Sequence, residues 1–510
     1  MTESPFGELA PGHGPMRNTL FSLISRVLSA VFTIALTLFL VRALGPTKYG
    51  VLALAVSVGS VIMLVSDFGI SASAARFVAE NPRDRMHAAA ILWTALRLKL
   101  LASTAATVAL VTLAPVIADA YGIPALTLPL QLIAIAVAAQ GLGGLFLYWF
   151  TALRRSSINI QYGVVESSLE TTASICLVLL GGGAAGAVAG RAVGFTAAGI
   201  LAATLAVRLV GWPAMRDARG RGFPVRRIVR YGAALVVIDG VYALFDRADV
   251  LIIGAVIGSA AAGTFEAAFR ILSFLAYPGL AVASGFSPRL AQGQRSGADS
   301  ALFIGALRYT ILLYLLLAAP ALVWAEPITQ LVLGDAYSSS AEVLRALAPT
   351  VVLAGVSPVL ATGANFLGEA RRRVPLSIGA LLINVVIDLI LVPRIGIIAG
   401  AIGTGVAFAL YVAGHVQICQ RALGVSFSRL GRTSARGIIA WAVAALVLLA
   451  FGTGQLSAFA WIVGALTATF AYISALILLR ELNPDEVRAA IRLLRRPFRR
   501  ERVSDAPGPS

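Results

Sequence analysis

The chain is poor in charge and in the side chains that carry most chemistry. Only 13% of its residues are charged, and the balance is lopsided, 24 acidic against 41 basic. It has two cysteines, Cys176 and Cys419, both inside apolar blocks, where cysteine serves as a small buried hydrophobe, so no disulfide or metal framework is implied. It has three histidines, His13, His87 and His415, one of them in the N-terminal tail, which leaves no zinc constellation and no histidine-based triad. Its two lysines, Lys48 and Lys99, are followed by Tyr49 and Leu100, so there is no Gly-Lys-[Ser/Thr] phosphate loop and no ATPase in the chain. Loops between apolar blocks on the arginine-poor side reach only about 16 residues, too short to house a membrane glycosyltransferase or ligase. The chain is therefore not expected to be an enzyme.

What is present is apolar and comes in long blocks. Hydrophobic residues make up 58% of the chain and the mean hydropathy is +0.87, whereas a soluble domain is roughly 45–50% apolar and about 25% charged. A membrane-crossing helix needs about 20 mostly apolar residues. Spans are read at 18–43, 50–72, 88–118, 125–150, 161–181, 184–211, 231–257, 264–287, 303–324, 341–364, 376–393, 397–420, 436–453 and 457–480. The expected class is an all-α integral membrane protein of about fourteen transmembrane helices. The first block is too long for a signal-peptide core and lacks a small-residue cleavage site, so no cleavable leader is expected.

The net charge of +17 does not indicate nucleic acid, because the arginines sit in short clusters between spans. Even-numbered gaps are rich in them, from Arg76, Arg83 and Arg85 through Arg154 and Arg155 to the run Arg371, Arg372 and Arg373. Odd-numbered gaps hold only Lys48 and Arg394. A missed span would invert this alternation downstream, and no inversion occurs. The even gaps, and both termini, are expected on the cytoplasmic side. After Asn483-Pro484-Asp485-Glu486, a surface helix is expected with Val487, Ile491 and Leu494 on one face and arginines on the other.

The chain also resembles itself at an offset of 213 residues: Gly45 and Gly50 recur as Gly258 and Gly263, and Arg76 recurs as Arg289. Six spans separate the copies, so both insert in the same sense, as two lobes related by an axis along the membrane normal. The expected organisation is a cytoplasmic tail (1–17), an N-lobe (18–212, spans one to six), a basic linker (213–230), a C-lobe (231–420, spans seven to twelve), two further spans (436–480) and a basic cytoplasmic tail (481–510).

Charges inside a bilayer cost roughly 2.5–3.5 kcal/mol each at a helix centre and face a cavity or a partner. In the first span Ser22, Arg26, Ser29, Thr33 and Thr37 form one polar stripe, and in the seventh Asp239, Tyr242, Asp246 and Asp249 form another. The offset maps Arg26 onto Asp239, Ser29 onto Tyr242 and Thr33 onto Asp246, so both stripes fall where a cleft between lobes would lie. Further intramembrane charges are Arg97 and Lys99, Glu166 and Glu170, Arg191, Glu266 and Arg270, and Asp388. Two readings stand: a hydrated cavity, or structural ion pairs such as Asp246 or Asp249 with a neighbouring arginine. Glu266 and Arg270, near a helix end, have the added option of snorkelling to the interface.

The segment Arg42-Ala-Leu-Gly-Pro-Thr-Lys-Tyr-Gly50, then Ser66-Asp67-Phe68-Gly69-Ile70 and Arg76, resembles the start of Wzx-type polysaccharide-biosynthesis flippases of the multidrug/oligosaccharidyl-lipid/polysaccharide exporter superfamily. Asp246-Arg247, Phe286-Ser-Pro-Arg-Leu290, Leu333-Gly-Asp-Ala-Tyr337 and Asn384 with Leu391-Val-Pro-Arg-Ile-Gly396 extend the resemblance over about residues 18–420. It implies two pseudo-symmetric six-helix lobes in a V plus two C-terminal helices. It implies a flippase moving a polyprenyl-pyrophosphate-linked oligosaccharide from the cytoplasmic to the outer leaflet of a bacterial inner membrane by alternating access. A cationic cavity would receive the pyrophosphate. Substrate or cavity residues are expected among Arg26, Ser29, Thr33, Asp67, Arg76, Arg97, Lys99, Glu166, Glu170, Tyr242, Arg247 and Arg270, with Asp239, Asp246 and Asp249 carrying a coupling proton or sodium ion. No metal site or other cofactor is expected. Partners would be the lipid-linked sugar, membrane lipids and the polymerase or glycosyltransferases of the same pathway. The alternatives are a lipid II flippase, a cation-coupled multidrug antiporter of the same superfamily and, in another class, a membrane sugar polymerase or ligase.

Overall fold

The structure, a computed structural model, describes residues 15–280, 282–283, 297–424, 427–483, 486 and 488, with side chains at these positions except 15–27, 221, 234–235, 237–239, 242 and 297–299. The side chains of Ser22, Arg26, Asp239 and Tyr242, the Phe286–Leu290 motif with Arg289, and most of the expected tail helix therefore lie outside the described residues.

Among the described residues there are helices and no strands. In chain order they are α1 (Pro15–Asp67), α2 (Ile70–Glu80), α3 (Arg85–Ala120), α4 (Thr127–Ala152), α5 (Ser156–Leu177), α6 (Gly183–Val210), α7 (Trp212–Arg221), α8 (Val225–Val256), α9 (Ser259–Leu275), α10 (Gly297–Val323), α11 (Ala325–Leu333), α12 (Ser340–Phe366), α13 (Ala370–Ile395), α14 (Ile398–Leu423), α15 (Ser428–Ala450) and α16 (Ala458–Leu478). Among the described residues, ten helical stretches are long and apolar enough to cross a membrane.

The two longest of these ten are broken by glycine. Leu28–Asp67 has 40 residues, about 60 Å at 1.5 Å per residue against a hydrocarbon core of about 30 Å. It breaks at Gly45, whose φ of 68° suits glycine, and Pro46 follows without an amide hydrogen to continue the ladder. Ser156–Val210 has 55 residues and breaks at the Gly181–Gly183 turn that separates the fifth and sixth expected spans. A count of about fourteen requires both stretches to cross twice, and α8 and α9 to cross as well. α8 carries Asp246, Arg247 and Asp249, and α9 is described as a helix over 17 residues.

Two connections between expected spans are helical. The basic linker holds α7, which starts at Trp212-Pro213 and buries Ala214, Met215 and Ala218 against the core that also holds Trp149 and Phe150. The gap after the ninth span likewise forms α11. Both are short and too polar or too interrupted to stand out from the apolar pattern.

In the N-lobe α4 packs on α3 and α6, and α6 on α5. In the C-lobe α12 packs on α10 and α14, and α13 on α14 and α8. α15 packs on α10, and α16 on α15, outside the duplicated unit. The lobes meet where α1 runs against α8 and α9.

That meeting is symmetric. A Cβ at Gly50 would collide with the Ser259 carbonyl, and a Cβ at Gly263 with the Pro46 carbonyl. Ser259 is Pro46 plus 213 and Gly263 is Gly50 plus 213, so the repeated glycines are each other's contact surface. Only a missing side chain lets the two backbones approach this closely. The seam continues down α8, with Gly254 against Leu54, Gly240 against Leu64 and Gly232 against Gly69.

Candidate functional site

A cavity of about 720 Å³ lies between the lobes, on the inner side of the Gly50–Gly263 contact. Most of its wall is N-lobe: Thr33, Thr37 and Ser60 from α1, Gln140 from α4, Tyr162, Glu166 and Glu170 from α5, and Arg191 from α6. The C-lobe closes it with Ala243 and Arg247 of α8 and Glu266 and Arg270 of α9. Small residues make room for the polar ones. A Cβ at Gly194 would crowd Glu170, and one at Gly143 would overlap the Tyr162 ring.

Five of the six charges described on this wall are paired. Glu266, with 2% of its side chain exposed, takes Arg270 at 2.5 Å and Arg247 at 3.5 Å on one oxygen, and Arg247 also pairs with Asp246 at 3.1 Å. The second oxygen of Glu266 is buried with no hydrogen-bond partner among the described residues. On the opposite wall Arg191 holds Glu170 at 3.2 Å and stacks on Phe195, while the Ser167 hydroxyl donates to Glu166 at 3.4 Å. The described lining therefore carries three arginines and three glutamates. The purely cationic cavity implied by the family resemblance is not what these side chains make. Glu266 and Arg270 do not snorkel: they face each other inside the cavity wall.

On the arginine-poor face the cavity is capped by an inter-lobe latch. Arg42 donates to the Val332 carbonyl at 3.1 Å and to that of Leu331, at the C-terminal end of α11, where unpaired carbonyls attract a cation. Tyr337 donates its hydroxyl to the Val41 carbonyl at 3.0 Å, and its ring meets Tyr49 edge to face. Two of the family-like segments, the one starting at Arg42 and Leu333–Tyr337, are thus partners across the lobes.

A second polar cluster lies inside the C-lobe, away from the cavity. Asp249 on α8 accepts from the Asn384 amide at 2.8 Å and the Thr404 hydroxyl at 2.5 Å. Asp388, one turn from Asn384 on α13, stands within hydrogen-bonding reach of Asp249 when one of the two carries a proton. Neither of its oxygens has any other partner among the described residues. All four side chains are 5% exposed or less. Gly403 makes the site possible, because a Cβ there would strike the Asp388 carboxylate.

The remaining expected site residues fall elsewhere. Asp67 and Lys99 are not in the cavity lining: they form an ion pair at 2.5 Å, with Lys99 fully buried and Ser71 donating to Asp67 at 2.6 Å. Removing one partner of such a pair typically costs about 3–5 kcal/mol, so this is a strap between α1 and α3. Arg76 is exposed and stacks on Tyr231 at 4.7 Å, and Arg97 stacks on Trp93 at 4.9 Å. Ser29 is half-buried outside the lining, whereas Thr33 and Thr37 of the same stripe are in it. Tyr49, Tyr162, Gln140 and Thr404 were not expected as site residues, being uncharged and unremarkable in their spans. Asn384 had a signal, since it lies four residues before Asp388 on one helical face.

A helical bundle with these two lobes and an inter-lobe cavity has the fold of the exporters called the MOP superfamily. A solved structure described as the inward-facing conformation of a multidrug resistance MATE family transporter of that superfamily matches with a TM-score of 0.64 at 16% identity, over 80% of this chain and 96% of that one. The lipid II flippase MurJ in an inward closed conformation matches with a TM-score of 0.70 at 11% identity, over 91% of this chain and 99% of that one. The family model for polysaccharide biosynthesis proteins matches residues 16–294, more than half of the chain, and the MatE model matches residues 240–390. This multi-pass membrane protein belongs to the polysaccharide biosynthesis protein family. A curated protein of Haloferax volcanii, "Probable low-salt glycan biosynthesis flippase Agl15", is 23% identical over 254 residues, 48% of this chain and 53% of that protein. The chain thus matches about half the length of that relative.

Proposed function

We propose that the protein is a flippase that carries a lipid-linked oligosaccharide, with a polyprenyl pyrophosphate as the lipid, across the cytoplasmic membrane by alternating access. The observation that carries this reading is the charged cavity between two duplicated lobes, sealed on one face by a contact that the duplication itself builds. A sugar headgroup cannot cross hydrocarbon unaided, and a polar cleft shields it while the lipid tail stays in the bilayer. The cavity is of the size of small-ligand sites, and its paired arginines and glutamates offer donors and acceptors to sugar hydroxyls and phosphate oxygens alike. Transport follows if the lobes rock about the α1–α8 seam, opening the Arg42 and Tyr337 latch as the opposite face closes.

In this reading the lobes divide at the linker 213–230, fourteen segments cross the membrane, and the arginine-rich face and both termini are cytoplasmic. The sealed C-lobe cluster is the coupling site. Two carboxylates, an amide and a hydroxyl supply oxygen donors, and Asp388 lacks a donor of its own. Such a set accommodates a shared proton or a sodium ion, either of which would relieve the repulsion between Asp249 and Asp388.

The test is a flipping assay in proteoliposomes with a fluorescent polyprenyl-pyrophosphate oligosaccharide, with lipid II run in parallel. Accelerated flipping of the oligosaccharide lipid, lost in Arg270→Ala, is the expected result. Flipping no faster than in protein-free vesicles overturns the reading, and flipping confined to lipid II reassigns the cargo. A proton or sodium gradient should raise the rate in the wild type and not in Asp388→Asn.

A further inference from the structure

The arginine-rich face carries a cluster that the transport reading does not use. Trp93 of α3 has two guanidinium groups over its ring: Arg97 of the same helix at 4.9 Å and Arg219 of α7 at 4.6 Å. Arg219 also lies 5.7 Å from the Trp212 ring, which is 58% exposed at the start of α7. Neither Arg97 nor Arg219 has a carboxylate partner among the described residues. The one acid of α7, Asp217, pairs with Arg216. The Trp93 indole N–H is buried and has no acceptor among the described residues.

Two like charges drawn to one ring are an arrangement at odds with itself. Each gains from the ring face, but they repel each other, and near a low-dielectric membrane that repulsion is weakly screened. Both guanidinium groups gather at one ring, where a phosphate group accepting a forked pair of hydrogen bonds from each would relieve the repulsion. The flanking exposed tryptophan belongs to the headgroup level of a bilayer.

We infer that Trp93, Arg97, Arg219 and Trp212 form a binding site for the phosphate of an anionic phospholipid in the leaflet on the arginine-rich side. The site joins α3 to α7 and so ties the inter-lobe linker to the N-lobe. The rest of the linker is fastened to the same lobe: the Phe223 amide donates to the Thr94 hydroxyl at 2.9 Å, and Arg227 stacks on Phe77 at 4.9 Å. A bound lipid would complete a chain of contacts holding the linker while the C-lobe moves.

The experiment is a phosphatidylglycerol titration of the purified full-length protein in detergent, read by native mass spectrometry. Each arginine near a membrane surface contributes about 1 kcal/mol to anionic-lipid binding, so R97Q combined with R219Q should weaken the tightest phosphatidylglycerol site on the order of thirtyfold. R216Q combined with R226Q removes equal charge from the same face without touching Trp93 and should leave that site nearly unchanged. Equal losses in the two double variants, or none in the first, overturn the inference. Inorganic phosphate at matched concentration should not compete; if it displaces the lipid, the site is one for free phosphate and the lipid assignment falls. A second readout is independent of the arginine variants. Phosphatidylglycerol brominated on its acyl chains should quench tryptophan fluorescence less in W93F and W212F than in W461F, and indistinguishable quenching also overturns the inference.

Discussion

The cavity wall and the C-lobe cluster both bury charge inside the membrane, yet they solve the problem in opposite ways. On the cavity wall Glu266 binds two arginines and sits beside open space. In the cluster Asp249 is held by neutral donors and faces another acid, Asp388, in a sealed interior. Opposite charges that satisfy one another are stable without a ligand and can exchange one partner for a substrate group. Two like charges in a dry site need a proton or a cation to be stable at all. The sequence presents both simply as acids in apolar helices. The difference lies in what the fold brings opposite them.

The sharpest way to break this contrast is to remove one acid from each side. Glu266→Ala leaves Arg247 and Arg270 without their shared carboxylate and should cost about 3–5 kcal/mol of stability, read as thermal unfolding in detergent. Asp388→Asn removes one of two facing acids and should be neutral or stabilising by the same measurement. If Asp388→Asn destabilises as much as Glu266→Ala, the cluster is an ordinary structural network and the coupling role is lost. Within the cluster, Asn384→Leu takes a hydrogen bond from buried Asp249 and should cost about 1.5–3 kcal/mol. That cost should shrink in Asp249→Asn, and a double-mutant cycle with no coupling would detach Asn384 from the site.

The latch on the arginine-poor face is a smaller effect and tests whether the cavity is gated there. Tyr337→Phe removes the hydrogen bond to the Val41 carbonyl and keeps the ring against Tyr49. A loss of about 1 kcal/mol is expected. It should favour the state open on that face, so a cysteine introduced at Thr33 should label faster with a membrane-impermeant thiol reagent added from that side. Unchanged labelling would mean that the Gly50–Gly263 contact closes the face alone.

Much of the fold was legible because apolar length and arginine placement are written along the chain. The break between the fifth and sixth spans stands in the sequence as three consecutive glycines, and the Gly50 and Gly263 repeats mark the inter-lobe contact. α7 was not legible: its ten residues carry Arg216, Asp217, Arg219 and Arg221, and only Ala214, Met215 and Ala218 hint at a buried face. The site was legible as a set of charged positions and opaque as a set of pairs. Nothing in the sequence ties Lys99 to Asp67, 32 residues earlier, rather than to the cavity. Pairing depends on which helices become neighbours, and glycines such as Gly141, against which Lys99 packs, decide how closely they approach.

A third kind of ionic site, outside the spans, sets the lower end of the scale. At the end of α16, Glu481 accepts from Thr433 at 2.7 Å, Arg308 at 2.9 Å and Arg436 at 3.1 Å, and Glu486 pairs with Arg308 at 3.2 Å. Burial pushes the Glu481 carboxyl up, but the hydrogen bonds from Thr433, Arg308 and Arg436 outweigh it and leave it below its ordinary range. For Glu486 the hydrogen bond from Arg308 is the leading cause of the same downward shift, against a smaller opposing effect of burial. Because both groups are held below the unfolded value, their contribution is complete above about pH 5 and is lost as the pH falls through the folded values, below about pH 4.5. Glu486 is partly exposed and screened, so its share should be under about 1 kcal/mol. Proteolytic release of the tail, followed between pH 7 and pH 3.5, should rise only below about pH 4.5 in the wild type. In Glu481→Gln combined with Glu486→Gln it should be raised at pH 7 and nearly independent of pH. A pH dependence that survives in this variant would assign the acid sensitivity to carboxyls elsewhere.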